Sequence, residues 1–157
     1  MGAWGYKALE SDDGLDVIDF LRVHISKSTD WKMSEIITAM RANGFFGETF
    51  EDIAYYYDNS AMALAELYIT FNDDGKLHYR DENAPDGLAF GKLRSFTADT
   101  ESLRFLLRYL TDIRDEVPDK DGMRESADLW QEYESYGAWK AHVLSLFDRL
   151  QQAIENA

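Results

Sequence analysis

Asp12-Asp13-Gly14-Leu15-Asp16 spells an Asp-Asp-x-x-Asp run, and Asp19 follows three residues on. On a helix, Asp12 or Asp13, Asp16 and Asp19 share one face. Converging carboxylates are what Mg²⁺ takes, through one or two direct ligands and several waters. Arg104 and Arg108 lie one helical turn apart and could grip a phosphate. Together they outline a Mg- or Mn-dependent hydrolase of a phosphorylated small molecule. The plainer account has Asp12 and Asp13 offsetting a helix dipole, with Asp16 and Asp19 on a solvated face. It pairs the arginines, Arg94 and Arg114 included, with Glu101, Asp112 and Asp115.

Glu48, Glu51, Asp52, Glu125, Asp128 and Glu132 could supply the acidic helices of an all-α pyrophosphohydrolase. Such spacings arise readily by chance among thirty acids. The histidines His24, His78 and His142 form no i, i+4 pair and no His-Glu-x-x-His motif. His24 and His142 fall on or beside apolar stripes and read as packing residues. There is no Gly-x-Ser-x-Gly elbow and no Walker loop. Gly87-Leu88-Ala89-Phe90-Gly91-Lys92 lacks the first part of a phosphate loop. No catalytic residue and no cofactor is assigned.

Aromatic residues make up 14% of the chain. Tyr55, Tyr56 and Tyr57 are consecutive, and successive helical residues point about 100° apart, so the three cannot all face one core. Tyr133 and Tyr136 join them as candidate partner-surface residues, because tyrosine is a favoured interface anchor. Trp4 sits between two glycines and reads as a buried plug against the first and last helices. Trp130 and Trp139 read as structural.

Helical periodicity dominates the chain that must position these groups. Ser11 caps a first helix with a stripe of Leu15, Ile18, Leu21 and Ile25, widened by Val17, Phe20 and Val23. A second runs from near Asp30 to Asn43-Gly44, with Met33, Ile36, Ile37 and Met40 in step. A short helix through Ile53 and Tyr56 follows. Ser60 is expected to cap another, through Leu64, Leu67 and Phe71. Residues 68–80 also read as a hairpin around Asn72-Asp73-Asp74-Gly75, but Ala61, Ala63 and Ala65 favour helix for the first limb, leaving room for a short strand near 76–80. Asp99 caps the clearest helix, through Leu103, Leu106, Leu107, Leu110, Ile113 and Val117, and Pro118 ends it. A helix through Met123, Ala127 and Trp130 precedes the last one, with Trp139, Val143, Leu146, Leu150 and Ile154. The expected fold is all-α: one domain over 1–157, a compact irregular bundle of five to seven helices.

The chain has 157 residues, one ordinary domain, with 45% apolar and 29% charged residues. Its net charge is −14, spread evenly along the chain. That argues against direct nucleic-acid binding and against an anionic membrane surface. Cysteine is absent, which excludes thiol catalysis and disulfides. The first residues do not look like a signal peptide, and no run approaches a membrane span, so a soluble cytoplasmic protein is expected.

Met1-Gly2-Ala3-Trp4-Gly5, then Glu10-Ser11-Asp12-Asp13 and Leu15-Asp16, resembles the start of a family of small bacterial proteins. The likeness returns at Leu129-Trp130-Gln131-Glu132, at Trp139 and at Asp148-Arg149-Leu150, with a weaker helical echo at Ala61–Leu67. Tyr6-Lys7-Ala8-Leu9 departs from the Gly-Pro-Phe type of segment common there. The family is a domain of unknown function. The resemblance implies an α-rich fold and a bacterial cytosolic setting, and it supplies no reaction. The leading expectation is a non-enzymatic binding protein, immunity- or antitoxin-like, for a basic partner protein. The metal-dependent hydrolase is the alternative.

Overall fold

A computed structural model describes residues 5–24, 28–77 and 93–156. Trp4, Ile25, His78 and the 87–92 segment lie outside the described residues. Among the described residues, six helices and one short strand pair follow in order: α1 Asp12–His24, β1 Asp30–Lys32, α2 Met33–Ala42, α3 Tyr55–Asp74, β2 Ser95–Thr97, α4 Thr100–Arg114, α5 Glu125–Gln131 and α6 Tyr136–Glu155. The fold is mainly α.

α3 is the axis. It packs against α1, α4, α5 and α6 and is buried on every side from Asp58 to Tyr68. Ala61, Ala63 and Ala65 are fully enclosed, and their small side chains let neighbouring helices come close. A helix buried all round cannot turn polar groups to water, so each must find a partner in the protein. Ser60 Oγ donates to the Tyr56 carbonyl at 2.9 Å. Asn59 Nδ2 donates to Ser11 Oγ at 3.0 Å and to the Ala8 carbonyl at 3.3 Å. Asp58 and Glu66 use partners described below.

α3 corrects one expectation and decides between two others in favour of the helix that the alanines at 61, 63 and 65 suggested. Ser60 does not start a helix, because its hydroxyl bonds back along one that has already begun at Tyr55. Residues 68–74 form no hairpin limb. Asn72-Asp73-Asp74-Gly75 ends the helix instead, with Gly75 in the left-handed region at φ 71° and its N–H donating to the Phe71 carbonyl at 2.7 Å. The same turn residues suit either role. Tyr68 and Phe71 favour the helix because both rings pack on Phe96 of β2.

The strand pair was not legible in the sequence. β1 and β2 are parallel, with Asp30 opposite Ser95, Trp31 opposite Phe96 and Lys32 opposite Thr97. Trp31 and Phe96 are both buried, with ring centroids 5.3 Å apart. Three residues are too few to display a period of two. The extended Lys32 backbone also moves the start of α2 from Asp30 to Met33.

The other helices follow their stripes. Ser11 Oγ accepts from Gly14 N at 3.0 Å, and Asp99 Oδ1 accepts from Ser102 N at 2.8 Å, so both caps form. α1 buries Gly14, Val17, Ile18 and Leu21, with Phe20 beside them. Val23 is 68% exposed, since it falls five and six residues beyond Ile18 and Val17, off the buried arc. α4 stops at Arg114, before Pro118. Glu116 adopts φ 51°, and its carboxylate accepts from Gln131 Nε2, Tyr136 OH and Lys140 Nζ at 2.6 to 2.7 Å. Those three bonds from the last two helices hold a backbone shape unusual for a non-glycine. Trp130 and Trp139 stack between α5 and α6 at 6.0 Å, with 12° between planes.

Gly14 shows tertiary context overriding propensity. A Cβ there would lie 2.1 Å from the Ala8 carbonyl oxygen and 2.8 Å from the Leu9 Cα. Alanine is worth about 1 kcal/mol over glycine inside a helix. Gly14→Ala is nonetheless expected to lower stability by about 1–3 kcal/mol, the range for overpacking, in urea titration. A gain in stability would mean that the 5–11 segment does not sit against α1.

Candidate functional site

Asp12, Asp16 and Asp19 are exposed on α1, and Asp13 is half-buried. Asp19 is engaged by Arg22 at 2.9 Å. Among the described residues, no Lys or Arg forms an ion pair with Asp12, Asp13 or Asp16. The Asp13 carboxyl is held above its ordinary pKa, first by burial and then by the negative charges of Asp16, Asp12 and Glu125. Glu125, the first residue of α5, adds the smallest of these repulsions. Among the described residues, no three His, Asp or Glu side chains come together in a way that could hold a metal ion.

Tyr55 and Tyr56 border this acidic face. Burial pushes the Tyr55 phenol up to about 12, with Asp13 adding to the rise and a Ser11 hydrogen bond opposing it. Burial likewise takes Tyr56 to about 12, with Asp16 and Asp13 adding. Tyr56 also stacks on Phe45 at 5.5 Å. Tyr57 points elsewhere. It lines a cleft of about 710 Å³ with Phe50, Arg108, Asp112 and Lys120. The consecutive tyrosines thus divide between two surfaces. Tyr133 is 44% exposed beside Trp130, whereas Tyr136 is tied to Glu116.

The arginine pair does not form one anion grip. Arg108 Nε bonds Asp112 Oδ2 at 3.1 Å, and its guanidinium lies 4.7 Å from the Phe50 ring centroid. Arg104 is exposed and does not line that cleft. Arg114 is held by Asp115 at 2.9 Å and covers the Phe147 ring. Asp52 accepts from the backbone N–H groups of Glu48 and Thr49 and so organises a turn. His24 is exposed, with its ring against Phe20.

Two buried charge centres escaped the sequence reading. Asp58 receives Arg124 Nε at 3.0 Å, Arg124 Nη2 at 2.6 Å and Ser126 Oγ at 2.6 Å. Both members of this ion pair are at most 2% exposed at the side chain. Glu66 accepts from Ala8 N at 2.7 Å, Leu9 N at 3.0 Å and the His142 ring at 2.7 Å. The available signal was the Ala61–Ala65 run. With no polar face there, the acids flanking it cannot reach water.

No helix among the described residues is long and apolar enough to cross a membrane. No curated protein and no solved structure matches the chain. One family model does match it, over residues 2–142, a span that runs from the first residues into α6 and includes Asp58, Glu66, Arg124 and His142. The chain therefore belongs to the family described as a domain of unknown function, DUF4259.

Proposed function

We propose that this protein is a non-enzymatic binding protein that engages a basic partner protein through the α1 face and the adjoining Tyr55 and Tyr56. One observation carries the reading: Asp13 feels the negative charges of Asp16, Asp12 and Glu125, with no Lys or Arg paired to them among the described residues, beside two half-buried tyrosines. Carboxylates that repel one another are relieved when a cationic surface docks. Tyrosine rings supply contact area at low entropic cost and attract Lys or Arg by cation–π contact. A net charge of −14 steers a basic partner from a distance. An immunity- or antitoxin-like role in the bacterial cytoplasm is the concrete form of this proposal. A metal-dependent hydrolase fits the geometry less well, since Asp19 and Arg108 are already paired.

The test compares immobilised wild type with Asp12→Asn/Asp13→Asn/Asp16→Asn in extract of the source bacterium. The expected result is a basic protein held by wild type, released as salt rises past about 0.15 M, where screening reaches about 8 Å. The triple variant should associate with it at least tenfold more slowly. Equal retention by both proteins, or capture of no basic protein, overturns the proposal.

A further inference from the structure

On another part of the molecule, α3 and α6 enclose a groove of about 310 Å³ whose lining includes Lys7, Glu66, His142 and Arg149. Its walls are apolar, formed by Leu9, Leu67, Ile69, Leu77 and Leu146. That volume is at the small end of the range for small-molecule sites, and an apolar wall with a few convergent polar groups is their usual make-up.

The charge balance distinguishes this groove. Lys7 and Arg149 stand against Glu66 in the lining and Asp73 just outside it, which leaves the groove without a net negative charge. Three other clefts of this acidic chain are net negative. The cleft at Tyr57 has Arg108 and Lys120 against four carboxylates. The one at Phe105 has Arg41 against Asp99 and Glu101. The one at Trp31 has Lys32 against Asp30 and Glu35.

Glu66 is also largely spent. Its oxygens already accept from two backbone N–H groups and from His142 Nε2. The bond to Nε2 orients the imidazole and places its proton on that nitrogen, so the ring forms part of the groove wall and supplies no donor to a bound anion. The Lys7 ammonium forms no ion pair among the described residues. Arg149 is held by Asp73 from outside the groove.

We infer that this groove binds a small organic carboxylate with a short apolar tail. The carboxylate sits between Lys7 and Arg149, and the tail lies along the leucines. The site is separate from the acidic α1 face and does not depend on the partner-binding proposal.

Octanoate is the probe, with octan-1-ol and octylammonium as controls of equal tail and different head. Binding is followed by calorimetry and by amide shifts in two-dimensional NMR on the full chain. Octanoate should bind saturably, at least tenfold more tightly than octan-1-ol, and shift the amides of Leu9, Leu67 and Leu146. Lys7→Ala, an exposed change that leaves the fold intact, should weaken octanoate at least threefold without affecting octan-1-ol. Arg149→Gln should weaken it as well. Absence of saturable octanoate binding overturns the inference. So does octan-1-ol binding as tightly as octanoate, or octylammonium binding more tightly, since the anionic head would then play no part.

Discussion

Arg124→Ala should cost the fold about 3–5 kcal/mol, the range for removing one partner of a buried ion pair. Asp58 would be left on an enclosed helix with Ser126 as its one remaining side-chain donor. Arg124 also donates to the Val117 carbonyl at 3.3 Å, so the 115–124 connection between α4 and α5 loses its anchor as well. The cost should depend on pH. Burial raises the Asp58 pKa from 3.8 to about 6, overcoming the opposing pull of Arg124 and Ser126. The folded chain therefore binds this proton more tightly than the unfolded chain does. By linkage, the Asp58 contribution to stability falls as pH rises from about 4 to about 6 and is lowest above that window. Without Arg124 the pKa rises further, so the deficit against wild type should be larger at pH 8 than at pH 5. Urea unfolding at both values measures it. A cost below about 1 kcal/mol at pH 8 would show that water reaches Asp58. The double variant Asp58→Leu/Arg124→Met should recover most of the loss, since apolar replacement of a buried pair is often neutral.

Glu66→Leu should cost about 3–5 kcal/mol, because it strands two backbone donors and an imidazole, and each unmet buried group costs about 1–3 kcal/mol. The residue joins three parts of the chain: the Ala8–Leu9 segment, α3 and α6. Glu66→Gln keeps one acceptor oxygen and should cost less than half as much. Amide exchange distinguishes a local from a global effect. In Glu66→Leu, Ala8 and Leu9 should exchange rapidly under conditions where the α4 core amides remain protected. Equal stability of the Leu and Gln variants would mean that these bonds contribute nothing.

Neither pair is visible from local sequence, although all four residues are ordinary polar types. Asp58 and Arg124 are 66 positions apart, and Glu66 and His142 are 76 apart. Asp12, Asp13, Asp16 and Asp19 drew attention by their spacing, yet three of the four face water. Spacing along one helix places groups on a common face, but it cannot show what stands opposite. The tyrosines illustrate both sides of this. Helical geometry alone required that Tyr55, Tyr56 and Tyr57 diverge. Their neighbours, Asp13 and Asp16 for two and Arg108 for the third, come from other helices.

Local chemistry was legible in the sequence because it acts over one turn. The caps at Ser11 and Asp99 need a side-chain oxygen three residues before a free N–H. The stripes of α2 and α6 need only a period of 3.6. Helical class, high acidity and family membership follow from residues near one another or from composition. Long-range burial settled the rest. It enclosed α3 on all sides and started it at Tyr55, before the Ser60 cap that the sequence suggested. It paired Trp31 with Phe96 across 65 residues in strands too short to announce themselves. It turned Gly14 from a weak helix residue into the point where the 5–11 segment meets α1. Each depends on what a side chain touches after the chain has closed on itself, and that free energy is absent from any short window of sequence.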